Sequence, residues 1–203
     1  MNAFSPAAER NREAIFMALN PFLPEGAKVL EIASGTGQHA VYIAAQRPDI
    51  QWQPSDRDEA ALRSIPEWIE GSGVKNVEKP LELDVITHVK DWSSPGRRES
   101  LDALVSINMI HIAPWEACLA LFDLAASALK PRATLFLYGP FLMADRETAP
   151  SNLGFDLSLK ERNPLWGIRS LETVSRLAED KGFKRLHVID LPANNEAVIF
   201  QKL

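Results

Sequence analysis

Lys28-Val29-Leu30-Glu31-Ile32-Ala33-Ser34-Gly35-Thr36-Gly37-Gln38-His39-Ala40 is the stretch on which the fold turns. Val29, Leu30 and Ile32 form an apolar run of the kind a central parallel strand shows when both its faces are covered. Gly35 and Gly37 permit a sharp turn and a close approach of backbone to a ligand, where a Cβ would clash. A helix follows, and the free N–H groups of its first turn favour an anionic ligand group. Strand, glycine turn and helix in this order predict an α/β domain.

Working outward, the alternation continues. Residues 1–8 read as a short arm, and Glu9 to Asn20 as a helix with Ala14, Ile15, Ala18 and Leu19 on one face, ended by Pro21 and Pro24. Thr36 to Gln46 is the helix after the glycine turn, with His39 in its first turn. Ile50 to Pro54 is a second strand. Asp58 caps a helix from Glu59, in which Ala61, Leu62, Ile65, Trp68 and Ile69 are apolar and Pro66 predicts a kink or break. Val77 to Leu83 reads as a third strand, Val85 to Val89 as a short segment capped by Asp84, and Pro95-Gly96-Arg97-Arg98 as a loop. Leu101 to Ile107 is a fourth strand, Glu116 to Leu129 an amphipathic helix stopped by Lys130-Pro131-Arg132, and Ala133 to Tyr138 a fifth strand.

Phe141 to Trp166 lacks a regular pattern, and connections of that length are often lids or binding loops. Ser170 caps a last helix, Leu171 to Lys181, closed by Gly182. Lys184 to Leu191 and Glu196 to Lys202 then form an antiparallel hairpin around Pro192-Ala193-Asn194-Asn195. The organisation is one domain, 1–203, with an N-terminal helical arm over 1–26 and a lid or substrate loop over 141–169.

Composition excludes several classes. Hydrophobic residues are 46% and charged residues 24%, an ordinary globular balance. The net charge of −5, with no basic run, argues against nucleic acid as the main partner. The single Cys118 rules out an internal disulfide framework and fits a reducing cytoplasm. No basic and apolar leader and no run of about 18 apolar residues is present, so neither export nor a membrane span is expected.

In an open parallel sheet, ligands lie outside the carboxyl ends of the strands, near the switch in strand order. Gly35-x-Gly37-x-x-Ala40, with Asp56 nineteen positions after Gly37, fits a dinucleotide fingerprint. The same stretch resembles the first motif of class I S-adenosylmethionine-dependent methyltransferases, where an acidic residue stands four positions before the first glycine of the pair. Glu31 holds that place, and Ala33 stands where a third glycine is common. Asp56, at the tip of the second strand, can accept from both ribose hydroxyls. Asp84 can accept from an adenine amino group while the Val85 N–H donates to the ring. Asn108 and His111, after the fourth strand, should border the site. An antiparallel hairpin at the end completes the sheet of the class I methyltransferases. Nicotinamide dehydrogenases continue otherwise, and no Tyr-x-x-x-Lys pair is present, since Tyr42 is followed by Gln46 and Tyr138 by Leu142.

The wider chain resembles a family of methyltransferase-like proteins found in bacteria and animals and catalogued as a domain of unknown function. The stretches that carry this are Ala8-Glu9-Arg10-Asn11-Arg12, Leu30 to Ala40, Trp52-Gln53-Pro54-Ser55-Asp56, Ile107 to Ile112, Tyr138-Gly139-Pro140-Phe141, Ser151-Asn152, Phe155-Asp156, Trp166-Gly167-Ile168-Arg169 and Pro192-Ala193-Asn194-Asn195. The family has Met before the last of these, where this chain has Leu191. The resemblance covers nearly the full chain. It implies a Rossmann-like class I methyltransferase, an α/β fold with a seven-stranded mixed sheet, an antiparallel last strand and helices on both faces. It also implies S-adenosyl-L-methionine as cofactor and S-adenosyl-L-homocysteine as product.

Under that resemblance Arg10 pairs with the cofactor's methionine carboxylate. Glu31, Ala33, Ser34, Gly35, Gly37, Asp56, Arg57, Asp84, Val85, Asn108 and Met109 complete the cofactor-binding set, and no metal is expected. Asn11, Asn152, Asp156, Arg169 and Asn195 are expected to bind substrate. A sulfonium donor needs orientation and at most one proton acceptor, expected to be His111, with Tyr138 as the alternative. The reading is a cytoplasmic enzyme, monomer or homodimer, that methylates O, N or S of a small molecule. A cofactor-binding protein without catalysis and a nicotinamide-dependent oxidoreductase are the alternatives.

Overall fold

The computed structural model describes residues 3–88, 90, 92, 94 and 96–203. Met1, Asn2, Val89 at the end of the segment after Asp84, and Pro95 of the expected loop lie outside the described residues. Helix α1 (Pro6–Leu19) opens the fold, and Ser5 Oγ caps it by accepting from the Ala8 N–H at 3.2 Å. With Pro6 in the first turn, the helix begins earlier than the apolar pattern alone implied. There follow β1 (Lys28–Ile32), α2 (Gln38–Gln46), β2 (Gln51–Asp56), α3 (Glu59–Ser72), β3 (Leu81–Glu82), α4 (Val85–His88), β4 (Leu101–Ile107), α5 (Trp115–Ala128), β5 (Leu129–Gly139) and β6 (Phe141–Leu142). The chain ends with α6 (Pro150–Arg162), β7 (Arg169–Ser170), α7 (Leu171–Asp180), β8 (Phe183–Leu191) and β9 (Asn195–Lys202).

Seven strands form one sheet in the order β3-β2-β1-β4-β5-β9-β8, and β6 pairs with β7 apart from it. The ladders from β3 to β5 are parallel, whereas β9 runs antiparallel to both β5 and β8. The seven-stranded mixed sheet and its reversed last strand agree with the expectation. Strand order turns back between β1 and β4, so the crevice at their carboxyl ends is the switch point.

Alternation along each strand builds two cores. Leu30, Leu104, Leu135, Leu137, Val198 and Phe200 pack under α5 and α7. Val29, Val105, Phe136 and Ile199 face α1 and α2 on the other side, together with Trp52. Helices therefore cover both faces, and the sheet's central strands are buried on both. Among the described residues no helix is long and apolar enough to cross a membrane.

Four expectations change. The third strand shrinks to Leu81–Glu82 with an isolated bridge between Trp52 and Val77, because Pro80 has no N–H for the ladder. Helix α3 runs through Pro66 without a break. β5 starts at Leu129, and Pro131-Arg132 is an irregularity within it, with Arg132 at φ +68°, not a turn before it. The segment 141–166 contains a helix, α6, which buries only Asn152 and Leu159 and so carries no apolar stripe.

Phe122 is fully buried and meets Phe183 and Phe200 edge to face at 5.9 and 5.7 Å. These rings clamp α5 to the β8–β9 hairpin. Phe122→Ala is expected to lower unfolding free energy by about 3–5 kcal/mol. Urea denaturation measures this, and a loss below about 1 kcal/mol would show that the hairpin is held by other contacts.

Candidate functional site

The turn after β1 is tied to the tip of β2. Asp56, 7% exposed, accepts from the Gly35 N–H through Oδ2 and from the Asp58 N–H through Oδ1, both at 2.9 Å. Ser34 is held beneath, its Oγ accepting from the Ser55 N–H at 3.1 Å. Ala33 and Asn108, which follow the neighbouring strands β1 and β4, both take left-handed backbone, with φ +58° and +63°. Such conformations are unfavourable for residues with a Cβ and gather at functional turns. They explain why a glycine is common at the position of Ala33.

These turns border a cavity of about 440 Å³. Asp56, Arg57 and Asp84 give it polar edges; Ile32, Leu83, Val85, Met109, Ile112 and Ala113 make an apolar slot, and Trp166 stands at its rim. The expected cofactor residues Ala33, Gly35, Asp56, Arg57, Asp84, Val85 and Met109 therefore come together. A Cβ on Gly35 would meet no protein atom within 4 Å, so the space above it is free for a ligand. Gly37 differs, because a Cβ there would lie 3.1 Å from Ile65; this glycine serves the packing of α2 on α3. Asp84 also caps α4, accepting from the Ile86 N–H at 2.9 Å, and lies 3.4 Å from Arg57 Nη1. An apolar slot between two carboxylates, with a bare backbone turn at one end, fits the adenosine part of the expected cofactor.

Other expected cofactor residues lie elsewhere. Arg10 is exposed on α1 and lines none of the cavities at the site. Glu31 is buried below the turn, where Oε2 accepts from Trp52 Nε1 at 3.1 Å. Burial, eased by bonds to Trp52 and Ser34, pushes its carboxyl up to about 7.

Asn108 opens instead onto an adjoining pocket of about 260 Å³, shared with Asn11, Tyr138, Ser151, Asn152, Phe155 and Asn195. Three of the expected substrate residues, Asn11, Asn152 and Asn195, meet here. Asn11 Oδ1 lies 2.8 Å from His39 Nε2, and the Asn11 amide hydrogen-bonds the Tyr138 side chain. His39 is held neutral by burial and by Arg12, which bring its pKa down to about 4. Its Nε2–H therefore donates to Asn11, and the Asn11 amide nitrogen donates to Tyr138. Tyr138 is part of the pocket wall. Burial raises its pKa, which suits a donor better than a base.

Three expected site residues, His111, Arg169 and Asp156, line neither cavity. His111 is fully buried, its Nδ1 accepts from the Arg169 N–H at 3.2 Å, and its Nε2 has no partner among the described residues. With Nδ1 occupied as acceptor the proton sits on Nε2, and burial with nearby Arg169 lowers its pKa to about 3. A buried ring in this state, lining neither cavity, does not suit the base role expected of His111. Its carbonyl also accepts from the Gly167 N–H at 2.9 Å, pinning the end of the 141–169 segment to the turn after β4. Arg169 is a brace: Nε donates to Ile110 O at 2.9 Å and Nη2 to Ala113 O at 2.6 Å. Asp156 accepts from the Ile168 N–H at 2.8 Å and pairs with Lys160, away from the pocket.

One residue of the site region is not marked by any motif. Glu196 is 6% exposed, accepts from the Phe141 N–H at 3.0 Å, and has its pKa pushed up to about 7 by burial. Its one signal in the sequence is an acid opening the apolar run Ala197-Val198-Ile199-Phe200.

The two glycines of the turn separate binding from stability. Gly37→Ala is expected to lower the melting temperature, since left-handed strain at φ +90° adds to the contact with Ile65. Gly35→Ala adds only backbone strain of about 1 kcal/mol and should abolish ligand binding in the cavity. Thermal melting with a binding titration on both variants checks this; equal loss of binding in two equally stable variants would contradict it.

In fold the chain is similar to an O-methyltransferase family protein from Burkholderia thailandensis, at 16% identity and a TM-score of 0.81, over 97% of this chain and 56% of that one. It is similar to the S-adenosylmethionine-dependent methyltransferase SibL in its apo form, at 19% identity and a TM-score of 0.77, over 97% and 55%. It is also similar to an O-methyltransferase family 2 protein from Planctomyces limnophilus in complex with apigenin, at 18% identity and a TM-score of 0.75, over 95% and 62%. The chain thus matches between 55% and 62% of the length of these three proteins. The family model described as Protein of unknown function (DUF938) matches residues 2–202. The chain belongs to that family, and its fold is the Rossmann-like fold of the class I methyltransferases.

Proposed function

We propose that the protein is an S-adenosylmethionine-dependent methyltransferase acting on O, N or S of a small molecule. The observation that carries this is the pairing of two spaces at the switch point: an apolar slot edged by Asp56 and Asp84, and an amide-lined pocket reached past Asn108. Such a pair suits a nucleoside cofactor beside a separate acceptor. The structural relatives named above, described as methyltransferases, support the same reading.

Asp56 would hold the ribose hydroxyls, each of its oxygens keeping a lone pair beyond the one taken by Gly35 or Asp58. Asp84 and the Val85 backbone would hold the adenine edge against Leu83, Met109 and Ala113. The Gly35 turn leaves room for the remainder. Bound there, the cofactor supplies an electrophilic methyl group on a sulfonium. The chain's own work is orientation: Tyr138, fixed by Asn11 and His39, donates to the acceptor molecule, while Trp166 and α6 shield the junction from water. Among the described residues no charged side chain lines the acceptor pocket, so a proton released there passes to solvent or to the departing product.

Isothermal calorimetry with S-adenosylhomocysteine and NADH tests the assignment. Micromolar binding of the first and none of the second is expected. Asp56→Ala should weaken binding about tenfold or more, since a hydrogen bond to a charged group contributes roughly 1.5–3 kcal/mol. NADH binding without S-adenosylhomocysteine binding would reverse the assignment in favour of an oxidoreductase. Cofactor binding without transfer of labelled methyl to any metabolite fraction would favour a binding protein.

A further inference from the structure

Behind the acceptor pocket lies a second space of about 230 Å³, and Asn152 and Asn195 form part of the wall of both. Its polar lining is dominated by acceptors. Asn152 donates its amide nitrogen to Asn194 O at 2.8 Å, and Asn195 donates to Pro192 O and Ala193 O at 3.2 and 3.1 Å. A backbone carbonyl can only accept, so these bonds fix which end of each amide faces the turn. Asn195 has both its N–H groups engaged and Asn152 one of two, and each keeps its carbonyl oxygen for the space between them. Asn152 is 8% exposed, and its oxygen has no partner among the described residues.

Glu196 adds a third acceptor. It is 6% exposed and lines the space, and only Oε2 is engaged, by the Phe141 N–H. Arg146, the one cation on the wall among the described residues, is paired with Asp190 through Nη1 at 2.9 Å, and Glu147 adds another negative charge. A carboxylate and two amide oxygens, against one remaining Asn152 N–H and the Thr148 hydroxyl, form a poor setting for an anion. They suit a cation that brings several N–H groups.

We propose that this space receives an ammonium group carried by the methyl acceptor, making the substrate a small amine whose cationic end lies against Glu196. The atom to be methylated then lies in the adjoining pocket beside Asn108 and Tyr138. This rests on the methyltransferase reading for the word substrate, but the ammonium site itself stands on the geometry alone. Glu196 acts in it as a specificity determinant. A buried carboxyl that burial alone drives towards the neutral form gains a partner when the cation enters, so recognition and ionisation reinforce each other.

The test titrates ethanolamine, 2-phenylethylamine and histamine, each beside a neutral or anionic analogue of the same shape, into the full chain saturated with S-adenosylhomocysteine. At least one amine should bind tenfold or more tightly than its analogue. Glu196→Gln keeps an acceptor for the Phe141 N–H and should abolish that preference. Equal binding of amine and analogue, a preference for the anion, an unchanged preference in Glu196→Gln, or no amine binding at 10 mM would overturn the proposal. Glu196 does not line the larger cavity, so both proteins should bind S-adenosylhomocysteine alike. Failure of the wild type to bind it would count against the methyltransferase reading. The amines would then be titrated into the free protein, where the same preference would still uphold the ammonium site.

Discussion

The hydrogen bond from the Gly35 N–H to Asp56 Oδ2 is the constraint on which the site depends. It ties the turn after β1 to the tip of β2, and the Asp58 N–H completes the arrangement by donating to the other oxygen. A side chain only 7% exposed is costly to bury without partners; two backbone donors satisfy Asp56 and aim it at the cavity. The same bond holds Gly35 in left-handed backbone with its bare Cα towards open space. One interaction therefore places a carboxyl group, shapes a turn and clears room for a ligand.

The second half of the site is organised by neutral groups. His39, in the first turn of α2, and His111, after β4, are both buried, and neither carries charge near neutral pH. His39 orders Asn11 and, through it, Tyr138. His111 holds the backbone of Gly167 and Arg169 and, through them, the segment that brings Trp166 to the cavity. Gly139 leaves His111 its space: a Cβ there would lie 2.6 Å from Nε2. Both histidines thus work by position, in a region where a reader of the sequence looks first for a base.

Much of the architecture was legible because it rests on local pattern. The buried strands β1, β4 and β5 are apolar runs, and the terminal hairpin is marked by Pro192-Ala193-Asn194-Asn195. The lining of the larger cavity follows from the tips of parallel strands, which is why Ala33, Gly35, Asp56, Asp84 and Met109 could be named in advance as neighbours. Helix α6 was hidden because it faces the core with only Asn152 and Leu159. Arg169 and Asp156 looked like pocket residues by type, but whether a side chain bonds a ligand or a neighbouring carbonyl or N–H is decided in three dimensions. Glu196 was missed for a topological reason. β9 runs against its neighbours, so its first residues pair with Gly139 and lie at the functional end of the sheet. Attention to the carboxyl ends of strands passes over the amino end of a reversed one.

The central claim concerns what occupies the crevice between β1 and β4. A crystal structure of the protein soaked with S-adenosylhomocysteine tests it directly. The predicted result is density for the nucleoside between Asp56 and Asp84, with the amino acid end passing over Gly35 towards Asn108. Density for the ligand anywhere else, or an unchanged crevice at saturating ligand, would contradict it.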